Sequence, residues 1–383
     1  MPVKPVKLPD GRQVNSSEKF ELGRNFCNKI WQAATGFVFP NIEGIKGSRD
    51  QGNKGATALE QCSGAADGND WPRPLRPDEL AIEDRWILSR LGGCIAEVDR
   101  RLARYQISEV ANTLYSFFWS DFCDWYVELV KPRLFGKDDA DVVQVHTDDS
   151  ANAARQVLTC VLDRALRLLH PIVPFLTEAL WQQLNERAPQ RGVTEIRPGE
   201  PALIKAAWPD ASAFRREPEV EREMEALQDI IRALRDTLAR INTSRAAAKT
   251  PAIGKIPHAV LRTDPAISEG LRDQIAVIRR LGRCEQLEIG ADVTKPPESA
   301  TQVLRGVEVY VPLRGLMDLD AERRRLQKDL DELRGHSERL AGKLSNEGFV
   351  AKAPAAVVEQ ERARLAEMKD RLASIERNLA DLQ

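Results

Sequence analysis

Near the end of the chain, apolar residues recur every seven positions on both sides of a short polar stretch. Leu319, Leu326, Leu333 and Leu340 come before it, with Leu330 and Leu344 on a second seam. Val358, Leu365, Leu372 and Leu379 come after it, with Met368, Ile375 and Leu382 alongside. Two apolar rows at heptad spacing form a coiled-coil seam, which a strand or an ordinary surface helix does not need. Between the rows, Ser345, Asn346 and Gly348 suit the end of one helix and Pro354 the start of the next. A link of about ten residues is too short for a distant partner, so the helices are predicted to fold back antiparallel. About 25 residues at a rise of about 1.5 Å each give an arm of roughly 40 Å. Residues 316–383 are assigned to this arm. It is either a dimerisation coil or a device for touching something large.

The whole chain has 383 residues, enough for two or three domains. A formal net charge of −2 excludes a global basic field, so any contact with nucleic acid must be local. The six cysteines are scattered and none forms C-x-x-C, which argues against a zinc knuckle or a disulfide framework. Single cysteines of this kind suit a reducing compartment. No uninterrupted apolar run approaches the length of a membrane span. A cytoplasmic chain with no membrane partner and no metal is expected.

Upstream of the arm the pattern is mostly helical. Residues 1–15, rich in Pro and Lys, read as a linker or tail. Ser16 or Ser17 is placed to cap a first helix running to about Val38, with Phe20, Cys27, Ile30, Trp31, Ala34 and Phe37 or Val38 as its apolar stripe. Residues of about 40–76 are dominated by Gly, Asn, Asp and Ser and read as a flexible insertion. Pro77 is expected to open the next helix, ending near Tyr105. Ser108 is expected to cap a third, ending at Val130 or Lys131 before Pro132. After a polar loop over 135–149, an apolar helix spans 151–170, and Pro174 opens one more. The prediction is a helical bundle over 16–187. A loop leads to a long amphipathic helix through Met224, Leu227, Ile230, Leu234 and Ile241. Strand-like runs follow at Ala259–Leu261, Glu285–Ile289 and Val307–Leu313, so 188–315 reads as a loop plus a small α+β module.

Candidate chemistry is sparse. Asp121, Asp124 and Glu128 share a helix face by α-helical spacing, but no His or Cys stands with them at ligand spacing. They are expected to pair with Arg and Lys of neighbouring helices, and the aromatics around them to be core. His170 sits at a helix end with no catalytic partner pattern. Gly342-Lys343-Leu344-Ser345 lacks the glycine spacing of a phosphate loop. No catalytic residue is assigned. The strongest binding candidate is the polar face Asn25, Asn28, Lys29 and Gln32, where amides can reach base edges and Lys can neutralise phosphate. The bland alternative is a solvated helix face.

Several stretches resemble the C-terminal part of the valyl-tRNA synthetases. Gly23 to Trp31 (G-R-N-F-C-N-K-I-W) is similar to the first helix of that family's anticodon-binding domain, and Asp84 to Leu91 to the next. Asp121 to Glu128 (D-F-C-D-W-Y-V-E) and His170 to Glu178 (H-P-I-V-P-F-L-T-E) resemble later helices. Lys343 to Pro354 is similar to the turn of the family's C-terminal arm. The resemblance implies a mainly α chain: a class Ia synthetase-type anticodon-binding helical bundle, the small α+β module, and an antiparallel two-helix coiled-coil arm. It also implies tRNA(Val) as partner, a monomer, and ATP as a cofactor of the full-length family only. The family's catalytic motifs and editing domain are absent from this sequence, so no catalysis is expected from the chain alone. Met1 then reads as an internal methionine or the start of a split-gene product working with a separate N-terminal catalytic half. The resemblance places Asn25, Asn28, Lys29, Gln32 and Phe37 on the anticodon side, and Arg323, Arg324, Lys343, Phe349 and Lys352 on the arm. The family commonly reads N-A-A-R-F at the end of the first helix, where this chain has Gln32-Ala33-Ala34-Thr35-Gly36-Phe37. The family's Arg is replaced, and its Phe is either shifted one place or replaced by Gly36; one helical residue is about 100° of rotation. The competing reading is a stand-alone, non-catalytic RNA-binding or coiled-coil scaffolding protein.

Overall fold

The computed structural model describes residues 4–7, 13–16, 18–42, 72–135, 147–345 and 355–381. They divide into two compact units, with the boundary between Met224 and Glu225.

In the first unit, β1 (Lys4–Lys7) and β2 (Gln13–Ser16) pair antiparallel, Val6 opposite Val14. These two strands are the described parts of the stretch read as a linker or tail. The bundle comprises α1 (Glu18–Ala33), α2 (Phe39–Ile42), α3 (Ile82–Leu102), α4 (Ile107–Tyr115), α5 (Val127–Phe135), α6 (Asp148–Leu169) and α7 (Pro174–Arg187). A π-helical turn, Ala34–Val38, joins α1 to α2, and an eleven-residue π-helical run, Ser116–Tyr126, joins α4 to α5. The core face of α1 and its extension is Ile30, Ala34, Val38, Phe39 and Ile42. Phe20 and Trp31, expected in that stripe, are instead exposed.

Three helix boundaries differ from expectation. Pro77 opens a 3-10 turn (Pro77–Glu79), and α3 starts five residues later. Ser108 is not a cap, since α4 starts at Ile107. Pro132 does not end its helix, which carries on to Phe135. The next residue explains this. Arg133 is buried and meets Glu83 and Asp84 of α3, each at 2.8 Å, and donates to the Ser150 carbonyl of α6 at 2.7 Å. These charge-assisted bonds hold a last turn that proline weakens. Asp84, fully buried, also accepts from the Tyr126 hydroxyl at 2.7 Å.

Of the expected insertion, 43–71 lie outside the described residues. Residues 40–42 are helical, and Leu75 is buried with its N–H donating to the Val193 carbonyl at 2.8 Å. The segment after α7 packs on the bundle: the Trp181 indole donates to the Glu200 carbonyl at 2.8 Å. Gly92 allows that segment to close on α3. A Cβ there would lie 2.9 Å from Phe214 Cβ and 3.0 Å from its carbonyl oxygen.

The second unit contains most of α8 (Pro218–Ala247), a four-stranded sheet and the arm. The sheet order is β6-β5-β8-β7, where β5 is Ile256–Thr263, β6 Cys284–Gly290, β7 Ser299–Leu304 and β8 Val307–Pro312. β5 and β6 are parallel, joined through α9 (Pro265–Asp273) and α10 (Ile275–Gly282); the other pairs are antiparallel. β7 is a strand that the sequence pattern did not reveal. The two-residue strands β3 (Gln190–Arg191) and β4 (Arg197–Pro198) belong to the first unit.

The arm is α11 (Leu319–Ser345) and α12 (Ala355–Asp381), each of 27 residues and so about 40 Å long. Leu326, Leu330 and Val358 are buried, and the remaining described heptad positions are half-buried. Lys343 meets Glu361 at 2.9 Å and Arg334 meets Glu376 at 2.8 Å, which fixes the antiparallel register. α12 also lies on the sheet edge, where Asn378 Oδ1 accepts from the Thr301 N–H at 3.3 Å.

Candidate nucleic-acid interface

Asn25, Asn28, Lys29 and Gln32 lie on one side of α1, at the spacing that stacks residues on one helical face. Asn25, Asn28 and Gln32 are exposed, and Lys29 is half-buried against the neighbouring π-helical run. Its ammonium lies 3.3 Å from Asp124 Oδ1 and 5.0 Å from the centre of the Trp119 ring. Trp119 and Asp124 are five apart. On an α-helix they would point about 140° away from each other, but π-helical bonds join residues five apart and stack them. The unusual helix is what lets one lysine meet both. Tyr115 stacks on Trp119 with centroids 5.3 Å apart, and Phe26 leans on Tyr115 at 5.0 Å. The result is a polar helix face bordered by an aromatic ledge, half of it open to solvent.

The carboxylates that α-helical spacing would group together have separate partners. Asp121 meets Arg90 of α3 at 2.9 Å, Asp124 meets Lys29, and Glu128 pairs with Lys131 one turn on. The aromatics also divide. Phe117, Phe118, Phe122, Trp125 and Tyr126 are core, while Tyr115 and Trp119 are only half-buried and join the surface. Sequence reasoning missed this pair because it rests on a 3.6-residue period, which this stretch does not keep. The His170 imidazole Nδ1 shares a hydrogen bond of 2.8 Å with the Thr177 hydroxyl, tying α6 to α7.

Phe37 lies within the π turn at the end of α1. A π turn takes up one more residue than an α turn, so it absorbs a one-residue lag and restores the facing of the residues after it. Phe37 meets Phe135 edge-to-face at 6.3 Å, and the Lys131 ammonium lies 5.9 Å from its ring centre. Lys29 and Phe37 thus border two consecutive elements, Lys29 the Ser116–Tyr126 run and Phe37 α5.

On the arm, Arg323 meets Asp320 at 2.8 Å, Arg324 is exposed, and Lys343 is held by Glu361. The Lys343 hydrogen bond in turn lowers the pKa of Glu361. Phe349 and Lys352 lie outside the described residues, as does most of the turn that carries them. Among the described residues no group of His, Cys, Asp and Glu is arranged to hold a metal, and no helix is long and apolar enough to cross a membrane.

Comparison with known proteins locates these features. Residues 84–253 match the model of the anticodon-binding domain of tRNA ligases, and residues 318–383 match that of the valyl tRNA synthetase tRNA binding arm. A valine–tRNA ligase of Bacillus thuringiensis subsp. konkukian is 35% identical over 368 residues, which is 96% of this chain and 36% of that protein. The enzyme of Carboxydothermus hydrogenoformans is 36% identical over 349 residues, 91% of this chain and 33% of its own length. That of Acinetobacter baylyi is 35% identical over 377 residues, 97% of this chain and 34% of its own. The chain spans about a third of the length of these relatives. The α1 face precedes the first matched stretch, whereas its Trp119 and Asp124 border lies within it.

Proposed function

The chain belongs with the valine–tRNA ligases as their C-terminal, tRNA-binding part, and we propose that it takes tRNA(Val) in two places. The face of Asn25, Asn28, Lys29, Gln32 and Phe37 receives the anticodon region, and the α11–α12 arm receives the body of the tRNA. Joining valine to tRNA with ATP is the work of a catalytic portion outside this sequence, on the same or a separate chain. The observation that carries the reading is the junction of α1 with the Ser116–Tyr126 run. There, exposed amides, one ammonium and a Tyr–Trp ledge lie side by side. Unpaired bases are recognised by such a mixture: π-faces for stacking, amides for base edges, and a cation for phosphate. A net charge of −2 is compatible, because folded RNA is read largely through shape and local contacts.

Asn28→Ala and Lys29→Ala test the face. Removing a hydrogen bond to a base should weaken tRNA(Val) binding by about 1–3 kcal/mol. Removing a phosphate partner should weaken all tRNAs alike and lower the salt dependence. If both variants bind as tightly as the parent, the face is solvated surface and the scaffolding reading gains.

A further inference from the structure

We propose that a cleft on the first unit, away from the α1 face, is a binding site for a phosphate-class oxyanion held by Arg164, Arg167 and Arg191. The cleft encloses about 820 Å³ and all three arginines line it. They converge on one carboxylate, Asp163, which is fully buried. Arg167 Nε lies 2.8 Å from Asp163 Oδ1 and Arg191 Nε 2.6 Å from Oδ2, while Arg164 pairs with Oδ1. One negative charge thus faces three positive ones in a place largely closed to water. A buried ion is costly unless it is paired, and an excess of this kind is relieved by an anion.

The remaining acids on the wall are mostly occupied elsewhere. Glu195 pairs with Arg197 at 2.7 Å, Glu217 with Arg85 at 3.1 Å, and Asp210 accepts from the Ser212 N–H at 2.8 Å. Glu200 is exposed. Arg191 is 3% exposed, and its Nη2 has no hydrogen-bond partner. Gly199 packs closely against that nitrogen: a Cβ there would lie 2.6 Å from Nη2 and 2.3 Å from Asn185 Oδ1, so glycine is what lets the guanidinium sit at this wall. Burial lowers the pKa of Arg191 despite Asp163 beside it, as expected for a cation short of counter-charge. The guanidinium fork matches phosphate oxygens two at a time, which an ammonium cannot do. Trp181 lies 5.1 Å from the Arg167 guanidinium and 4.2 Å from that of Arg191, so both are stacked and preorganised. The phosphate belongs either to an RNA backbone or to a small phosphorylated molecule, and the chemistry of the site is the same for both.

The test is calorimetric titration of inorganic pyrophosphate into the whole chain, at ionic strength fixed with chloride. Binding is expected in the parent. Arg164→Gln should weaken it about tenfold. Arg215→Glu, a charge reversal at an exposed position on the rim, should weaken it several-fold with the melting temperature unchanged. No binding by the parent, or equal affinity in parent and Arg215→Glu, would overturn the proposal even if Arg164→Gln fails to fold. A repeat with saturating tRNA separates the sources: abolished pyrophosphate binding identifies an RNA phosphate as occupant, and retained binding identifies a free phosphorylated ligand. Failure of the tRNA reading leaves the pyrophosphate result standing.

Discussion

Asp163 carries more of the first unit than its size suggests. Burial alone would raise its pKa, but the guanidiniums of Arg164, Arg167 and Arg191 outweigh that and hold it below the usual carboxylate range. A carboxylate with a depressed pKa stabilises the fold above its unfolded value of about 4, and the contribution is lost as pH falls through the folded value. Asp163→Asn leaves one buried and two half-buried guanidiniums without a counter-ion and should cost about 3–5 kcal/mol at pH 7. Thermal melting of parent and variant at pH 7 and pH 3 checks both points, with the gap narrowing in acid. An equal gap at both pH values would show that the charge of Asp163 is not what matters. Residue pairings were only partly legible in the sequence. That Asp121 and Asp124 meet cations of other helices followed from the scarcity of His and Cys nearby. Which cation each meets did not, because Lys29 reaches Asp124 across 95 positions and only through a π-helical geometry.

Among the elements, regular period was readable and departures from it were not. The heptads of α11 and α12 and the stripes of α3, α6 and α8 declared themselves because packing and period agree there. The two π-helical stretches left no periodic trace. β7, reading S-A-T-Q-V-L, has too few apolar residues to stand out, and pairing with β8 is what makes it a strand. The arm has a practical consequence of this kind. Its far end in sequence is tied to β7 through Asn378 and Thr301, so removing residues 318–383 would also uncover the sheet. A shorter excision, of residues 337–364 closed by a tight turn, keeps that tie. It should leave the melting temperature of the first unit unchanged, weaken tRNA binding, and lower the log–log salt slope by about 1 for each phosphate no longer neutralised. Unchanged affinity would remove the arm from the RNA interface and favour a dimerisation coil, which a sizing column would then show.

At the level of the whole molecule, the proposed function divides between two modules of one chain. The first unit carries the α1 face, where sequence-specific recognition is possible, and the arm carries mixed charges on a long seam suited to shape. The division of labour makes a single titration decisive. The whole chain is titrated with a tRNA(Val) transcript and with a second transcript that differs only in its anticodon, at two salt concentrations. The anticodon exchange should weaken binding by about 1–3 kcal/mol for each base no longer matched, at both salts. Equal affinity for the two transcripts, or no binding to either, would contradict an anticodon-reading role for the α1 face.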